Sequence, residues 1–250
     1  MAHRGVLAAC ILVALACRAP AAAQEEGLAG YWRFDEASGS KALDCSGHGH
    51  HGAIKGDLQR GPGRVGQALY FKAEKGAGVV IPPAPDLGPT SALTLEAWVK
   101  PEQLVREETY DIINKAGDRG PGYRLFFSWA ALRMRSGGGF GKDFWEIAAS
   151  VVVNPFTAGL WHHVAATYDG QVYRLFLNGI EVAGGGVLFH ENETLPLDGS
   201  AHPVTVSEHP VTIGAYLAGY AYPFHGAIDE VKIYGRAKTA EEVFRAAKEL

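Results

Sequence analysis

Cysteine and methionine are scarce, with 3 and 2 residues in a chain of 250. No C-x-x-C pair occurs, which removes the usual cysteine signature of zinc or redox sites. Positive charge is not in excess either: 23 Lys and Arg stand against 27 Asp and Glu. A formal net charge of −4 argues against nonspecific nucleic-acid binding, which needs a basic surface. Long apolar runs are missing beyond the N-terminus, so the mature chain is read without a transmembrane segment. Disorder is excluded by 47% hydrophobic residues, and collagen by the lack of a G-X-Y period. What is abundant is glycine, 32 residues, about 13% against a usual ~7%. Glycine spread this widely implies many turns and many short strands.

Residues 1–23 read as a secretory signal: Arg4, then an apolar run from Val6 to Cys17, then Ala21, Ala22 and Ala23 before Gln24. The run is too short to span a bilayer, which takes roughly 20 residues. A lipid anchor at Cys10 or Cys17 is the minor alternative. The expectation is therefore a secreted, periplasmic or cell-surface protein cut near Ala23. Cleavage removes Arg4 and Arg18, leaving 21 basic and 27 acidic residues, a net charge of −6. It also removes Cys10 and Cys17, so Cys45 is expected to stand alone.

Strand signals follow at short intervals: 28–34, 67–71, 78–81, 92–100, 110–115, 123–128, 131–135, 144–153, 161–168, 172–177, 180–183, 211–214 and 227–234. The run 92–100 alternates, with Leu93, Leu95, Ala97 and Val99 on one face and Thr94, Glu96, Trp98 and Lys100 on the other. Asp169-Gly170 and Asn178-Gly179 are hairpin dipeptides, because both residues of each tolerate positive φ. One helix is predicted at the end, capped by Thr239 with Glu242 completing a capping box. About a dozen short strands and one short helix predict an all-β, antiparallel jelly-roll sandwich in a single domain over 27–250. The segment 184–210 is expected to be a long irregular loop.

Six segments, in order, resemble the LamG-like jelly-roll domains of the concanavalin A-like lectin/glucanase superfamily. They are Gly30–Glu36 (GYWRFDE), Asp44–Gly52 (DCSGHGHHG), Leu93–Pro101 (LTLEAWVKP), Trp161–Gly170 (WHHVAATYDG), Phe176–Gly179 (FLNG) and Phe224–Tyr234 (FHGAIDEVKIY). The resemblance implies a concanavalin A-like sandwich and an exported module that binds carbohydrate or an extracellular protein surface. It also implies a structural calcium ion joining the first strand to the last, with Asp229 as the matching ligand and Asp35 beside it. The competing reading of Asp229 is a turn cap or a partner of Arg or Lys.

Catalytic patterns are absent. Glycosidases of this sandwich class use E-x-D-x-E, whose alternation points its carboxylates into one cleft; no E-x-D occurs here. Nor is there a G-x-S-x-G elbow, an H-E-x-x-H helix or a complete P-loop. The reading is non-catalytic. Calcium calls for six to eight oxygen ligands, and one matching acid does not define such a site. His48, His50 and His51, with Cys45, form a second grouping with metal-binding residue types, read here as decoration of a glycine-rich turn. His163 is expected in the core, hydrogen-bonded to a neighbour, and Trp98 and Trp161 are expected in the core. Trp129, Tyr216, Tyr220 and Tyr222 are the candidate sugar-binding aromatics, since sugars stack on aromatic faces. An extracellular structural or protein-interaction module is the alternative.

Overall fold

The computed structural model describes Cys17 and residues 25–89, 91–103, 106–116, 121–137, 144–151, 156–190, 193–196, 204–216 and 221–249. Apart from Cys17, the expected leader lies outside the described residues, as does Tyr220. In chain order the strands are β1 (Leu28–Trp32), β2 (Lys41–Ala42), β3 (Gly52–Lys55), β4 (Gln59–Pro62), β5 (Gln67–Lys72), β6 (Gly78–Ile81), β7 (Leu93–Pro101), β8 (Thr109–Asn114) and β9 (Gly122–Ser128). They continue as β10 (Ala131–Gly137), β11 (Phe144–Ser150), β12 (His162–Tyr168), β13 (Tyr173–Leu177), β14 (Ile180–Gly185), β15 (Val187–His190), β16 (Glu193–Pro196), β17 (Val211–Ile213) and β18 (His225–Tyr234).

They form two antiparallel sheets. The first runs β14-β13-β12-β7-β18-β5-β4, with β1 also on β18; the second runs β16-β15-β11-β10-β9-β8-β17-β6-β3-β2. The core lies between them. Leu93, Leu95, Ala97 and Val99 enter it from β7, and Tyr123, Leu125 and Phe127 from β9. Strict alternation then turns Glu96 and Trp98 to the outer face of the first sheet, and Arg124 and Phe126 to the outer face of the second.

The helix α1 (Ala240–Ala246) has the expected capping box: the Thr239 hydroxyl accepts the Glu242 N–H, and the Glu242 carboxylate accepts the Thr239 N–H. Seven residues are too few to hold a helix alone. Val243 packs on Ala165 and Phe176 on the outer face of the first sheet, a burial contributing roughly 2 kcal/mol. Both Asx-Gly hairpins occur where expected, with Asn178 at φ +53 and Gly179 at φ +81.

One expectation is corrected. The segment 184–210 is not a long irregular loop: β15 and β16 form a hairpin in it that extends the second sheet through β11. In the full chain Cys45 is disulfide-bonded to Cys17, a residue that cleavage near Ala23 would remove. Short strands such as β2 and β4 went unpredicted, since two residues or a Gly-Pro-containing stretch leave no alternation to detect.

Candidate functional site

The outer face of the second sheet carries a dense arginine–aromatic network. The Arg124 guanidinium, on β9, lies 4.0 Å from the Phe126 ring centroid, 5.0 Å from Tyr216 and 4.8 Å from Tyr222. Tyr216 and Tyr222 approach each other with centroids 5.5 Å apart. Arg135, on β10, lies 4.3 Å from the Phe144 ring and pairs with Glu146 of β11. Arg133 pairs with the other Glu146 oxygen. Register explains the assembly. Arg124 faces Arg135, and Arg135 faces Glu146, so three neighbouring strands present one alternating face.

Burial tunes this face. Asp111 of β8 accepts from Arg124 Nε. Burial pushes its carboxyl up to about 6, against the opposing pull of Arg124. The Tyr222 carbonyl accepts the Asp111 N–H at 3.0 Å, and Tyr222 takes φ +49, a conformation that costs a non-glycine residue about 1–2 kcal/mol. The ring is nonetheless 43% exposed. Arg124 Nη2 is buried without a hydrogen-bond partner among the described residues.

Of the candidate aromatics, the structure therefore gathers Tyr216 and Tyr222. Trp129 sits elsewhere, at the tip of the β9–β10 hairpin, 61% exposed. It and Ala130 take φ 53 and 51, the dihedral signature of a type I′ turn without the usual Asn or Gly. Tyr220 lies outside the described residues. The arginines and Glu146 were missed. Their signal was present as alternation in Arg133-Met134-Arg135 and Phe144-Trp145-Glu146, but no single strand announces a platform shared by three.

A second cleft, about 450 Å³, lies on the outer face of the first sheet beside Glu96, Trp98, His163, Lys232 and Lys238. Here two expectations are corrected. Trp98 belongs to this face rather than to the inter-sheet core, with Arg64 at 4.5 Å over its ring, while Trp161 is half-buried just before β12. His163 packs edge-on against Trp98 at 5.4 Å; its Nδ1 has no partner among the described residues. Burial lowers its pKa to about 4, more strongly than Glu96, 3.9 Å away, raises it. Most charges in the cleft are mutually paired: Lys238 Nζ donates to both Glu96 oxygens at 3.0 Å.

Asp35 and Asp229 pin a turn. Asp229 Oδ2 accepts the N–H groups of Arg64 (2.8 Å) and Val65 (3.1 Å), and Oδ1 that of Glu230 (2.8 Å). Asp35 Oδ1 accepts from Gln67 N–H at 2.8 Å, and Oδ2 pairs with Arg33 at 3.0 Å. Burial pushes the Asp229 carboxyl up to about 8, against the N–H groups that favour its ionised form. Each carboxylate oxygen of the two residues thus meets a donor, and a calcium ion here would need several further oxygens to reach its six to eight ligands. Gly63 and Gly66 admit the carboxylates: a Cβ on Gly66, at φ +55, would overlap Asp35.

The fold is a lectin-like β-sandwich. Residues 73–244 match the concanavalin A-like lectin/glucanases superfamily (Laminin_G_3), and the chain belongs to that family. Pappalysin-1 of Mus musculus is 25% identical over 204 residues, covering 73% of this chain but 11% of that protein; the Homo sapiens protein aligns to the same extent. The chain thus spans about a tenth of the length of these curated relatives. Among solved structures, domain 4 of AbnA, an extracellular arabinanase from Geobacillus stearothermophilus, in complex with arabinotriose, superposes with a TM-score of 0.62 at 21% identity, covering 88% of this chain and 98% of that one. A botulinum neurotoxin type C structure, whose cell entry depends on two ganglioside molecules, superposes with a TM-score of 0.66 at 12% identity, covering 90% and 52%. Among the described residues no helix is long and apolar enough to cross a membrane.

Proposed function

We propose that the chain is an exported, non-catalytic module that binds carbohydrate on the outer face of the second sheet. The observation that carries this reading is the exposed Tyr222 ring, set beside Tyr216 and held close to the Arg124 guanidinium. Sugars are recognised by aromatic faces against their C–H patches and by fixed donors against their hydroxyls. Tyr222 supplies an exposed ring, positioned by the buried Arg124–Asp111 pair beneath it. Structural neighbours that engage arabinotriose or gangliosides support the ligand class.

The non-catalytic reading is supported by what holds the acids. Glu146 is clamped by two arginines and Asp111 by one, so neither is a free carboxylate poised against a second, as glycoside cleavage requires. A glycan array, followed by titration of any hit with parent and Tyr222→Ala protein, tests the proposal. Binding weakened in the variant supports it; silence across the array removes it. Trp129, exposed on a strained hairpin tip, favours a second reading, an extracellular protein partner. That reading predicts silence on the array and capture of a partner that Trp129→Ala abolishes.

A further inference from the structure

His48 and His50 point both imidazoles at one carboxylate, that of Asp86. His50 Nε2 lies 2.8 Å from Asp86 Oδ2, and His48 Nδ1 lies 3.3 Å from the same oxygen. The two rings are nearly parallel, 9° apart, with centroids separated by 5.9 Å. One ligating atom from each of the three residues falls within 4.8 Å of the others. In a tetrahedral zinc site with bonds of ~2.1 Å, neighbouring ligand atoms stand roughly 3.4 Å apart. The three groups are therefore spaced to close on one ion with little movement.

The surroundings hold the ligands in place. Asp44 accepts N–H groups from Tyr31 (3.0 Å), Ser46 (2.9 Å) and His50 (2.8 Å), and the His50 carbonyl accepts from Trp32 Nε1 at 2.9 Å. This ties the histidine loop to the buried first strand. Asp86 sits in the 3-10 turn Pro85–Leu87, anchored by buried Leu87, whose carbonyl accepts the Tyr123 hydroxyl at 2.8 Å. Two segments some 36 residues apart thus present fixed ligands to one point. His51, the neighbouring histidine, turns its Nδ1 to the Asp44 N–H at 3.0 Å and is not among the three residues whose ligand atoms converge.

We propose that His48, His50 and Asp86 form an open site for a divalent transition metal of the zinc type, with the fourth position left to water or a ligand oxygen. Two imidazole nitrogens and one carboxylate select zinc, nickel or copper over calcium and magnesium, which prefer all-oxygen sets. Three protein ligands with a vacant fourth position is the coordination of an accessible zinc ion, whereas a closed structural site uses four. Such an ion would bridge the histidine loop to the turn that precedes β7.

The test is calorimetric titration of untagged, oxidised full chain with Zn²⁺, paired with Co²⁺ titration read by visible absorption. The expected result is one ion per chain and the intense bands of four-coordinate cobalt. Affinity should fall at least about tenfold in His48→Ala, His50→Ala and Asp86→Asn, given that even outer-shell changes at metal sites cost 10–100-fold. His225→Ala, a histidine outside the cluster, should leave it unchanged. Should Asp86→Asn fail to fold, half-exposed His48 provides the decisive variant. Absence of saturable binding, or affinity retained in His48→Ala and His50→Ala, would overturn the proposal.

Discussion

Arg124 sets its guanidinium 4.8 Å from the Tyr222 ring, joining the middle of the second sheet to the segment that leads into its neighbour's last strand. The contact links a buried ion pair to an exposed aromatic. It lets stability and ligand binding be perturbed separately.

Arg124→Ala leaves Asp111 fully buried without its cation. Breaking a buried pair from one side costs about 3–5 kcal/mol, so the expected outcome is a large fall in the urea midpoint. Tyr222→Ala removes a half-exposed ring and should cost less than about 1 kcal/mol. Urea melts of both variants check the contrast; equal costs would mean that the ion pair does not carry the stability assigned to it.

Gly66→Ala places a methyl group against the Asp35 carboxylate at a backbone φ of +55. Strain and the displaced acceptor together should destabilise by on the order of 2–4 kcal/mol. Gly76→Ala, also at positive φ but with open space around it, should cost only the dihedral penalty of about 1 kcal/mol. Thermal melts of the two variants compare them directly.

The Cys17–Cys45 bond closes a separation of 28 residues, enough to stabilise by roughly 3–4 kcal/mol through loop entropy. Under oxidising conditions the full chain should therefore be more stable than a chain beginning at Gln24, and reductant should erase the difference. Peptide mass spectrometry should find Cys45 free only in the shorter form. A full chain whose Cys45 is free under oxidising conditions would contradict the pairing.

His163 carries a pH signature. Its folded value, about 4 because of burial, lies below the ordinary 6.5. The native state therefore holds fewer protons than the unfolded chain between these values, and stability falls as pH drops from 6.5 toward 4. Fully expressed, the loss is on the order of 3 kcal/mol. Asp111 and Asp229, held above their ordinary values by burial, act in the opposite sense. The difference between parent and His163→Gln across pH 4–7 cancels them. A parent-minus-variant stability that stays flat over this window would contradict the buried, neutral imidazole.

The legible parts of this chain were those written within single segments. Leu93–Val99 alternates plainly, Thr239 and Glu242 spell their own cap, and Asn-Gly and Asp-Gly mark their hairpins. What sequence could not supply was register. Arg124, Arg135 and Glu146 come from three strands, and only their pairing makes one surface. The strands Val187–His190 and Glu193–Pro196 were hidden because their sequence, VLFH and ETLP, shows no plain apolar–polar alternation. Trp98 was expected in the core and is buried, but alternation had already put it beside Glu96 on the face away from the inter-sheet core. The three metal-type residues differ in the same way: His48 and His50 were visible as a pair, and Asp86 reached them only through the fold.

The most direct test of the binding account is one titration series. The glycan that parent protein binds best on a broad array, with arabino-oligosaccharides and ganglioside glycans included, is titrated against parent and Tyr222→Ala protein. The account predicts saturable binding by the parent and an affinity at least about tenfold weaker in the variant, the equivalent of one lost aromatic contact. No binding across the array, or equal affinity in the two proteins, would contradict it.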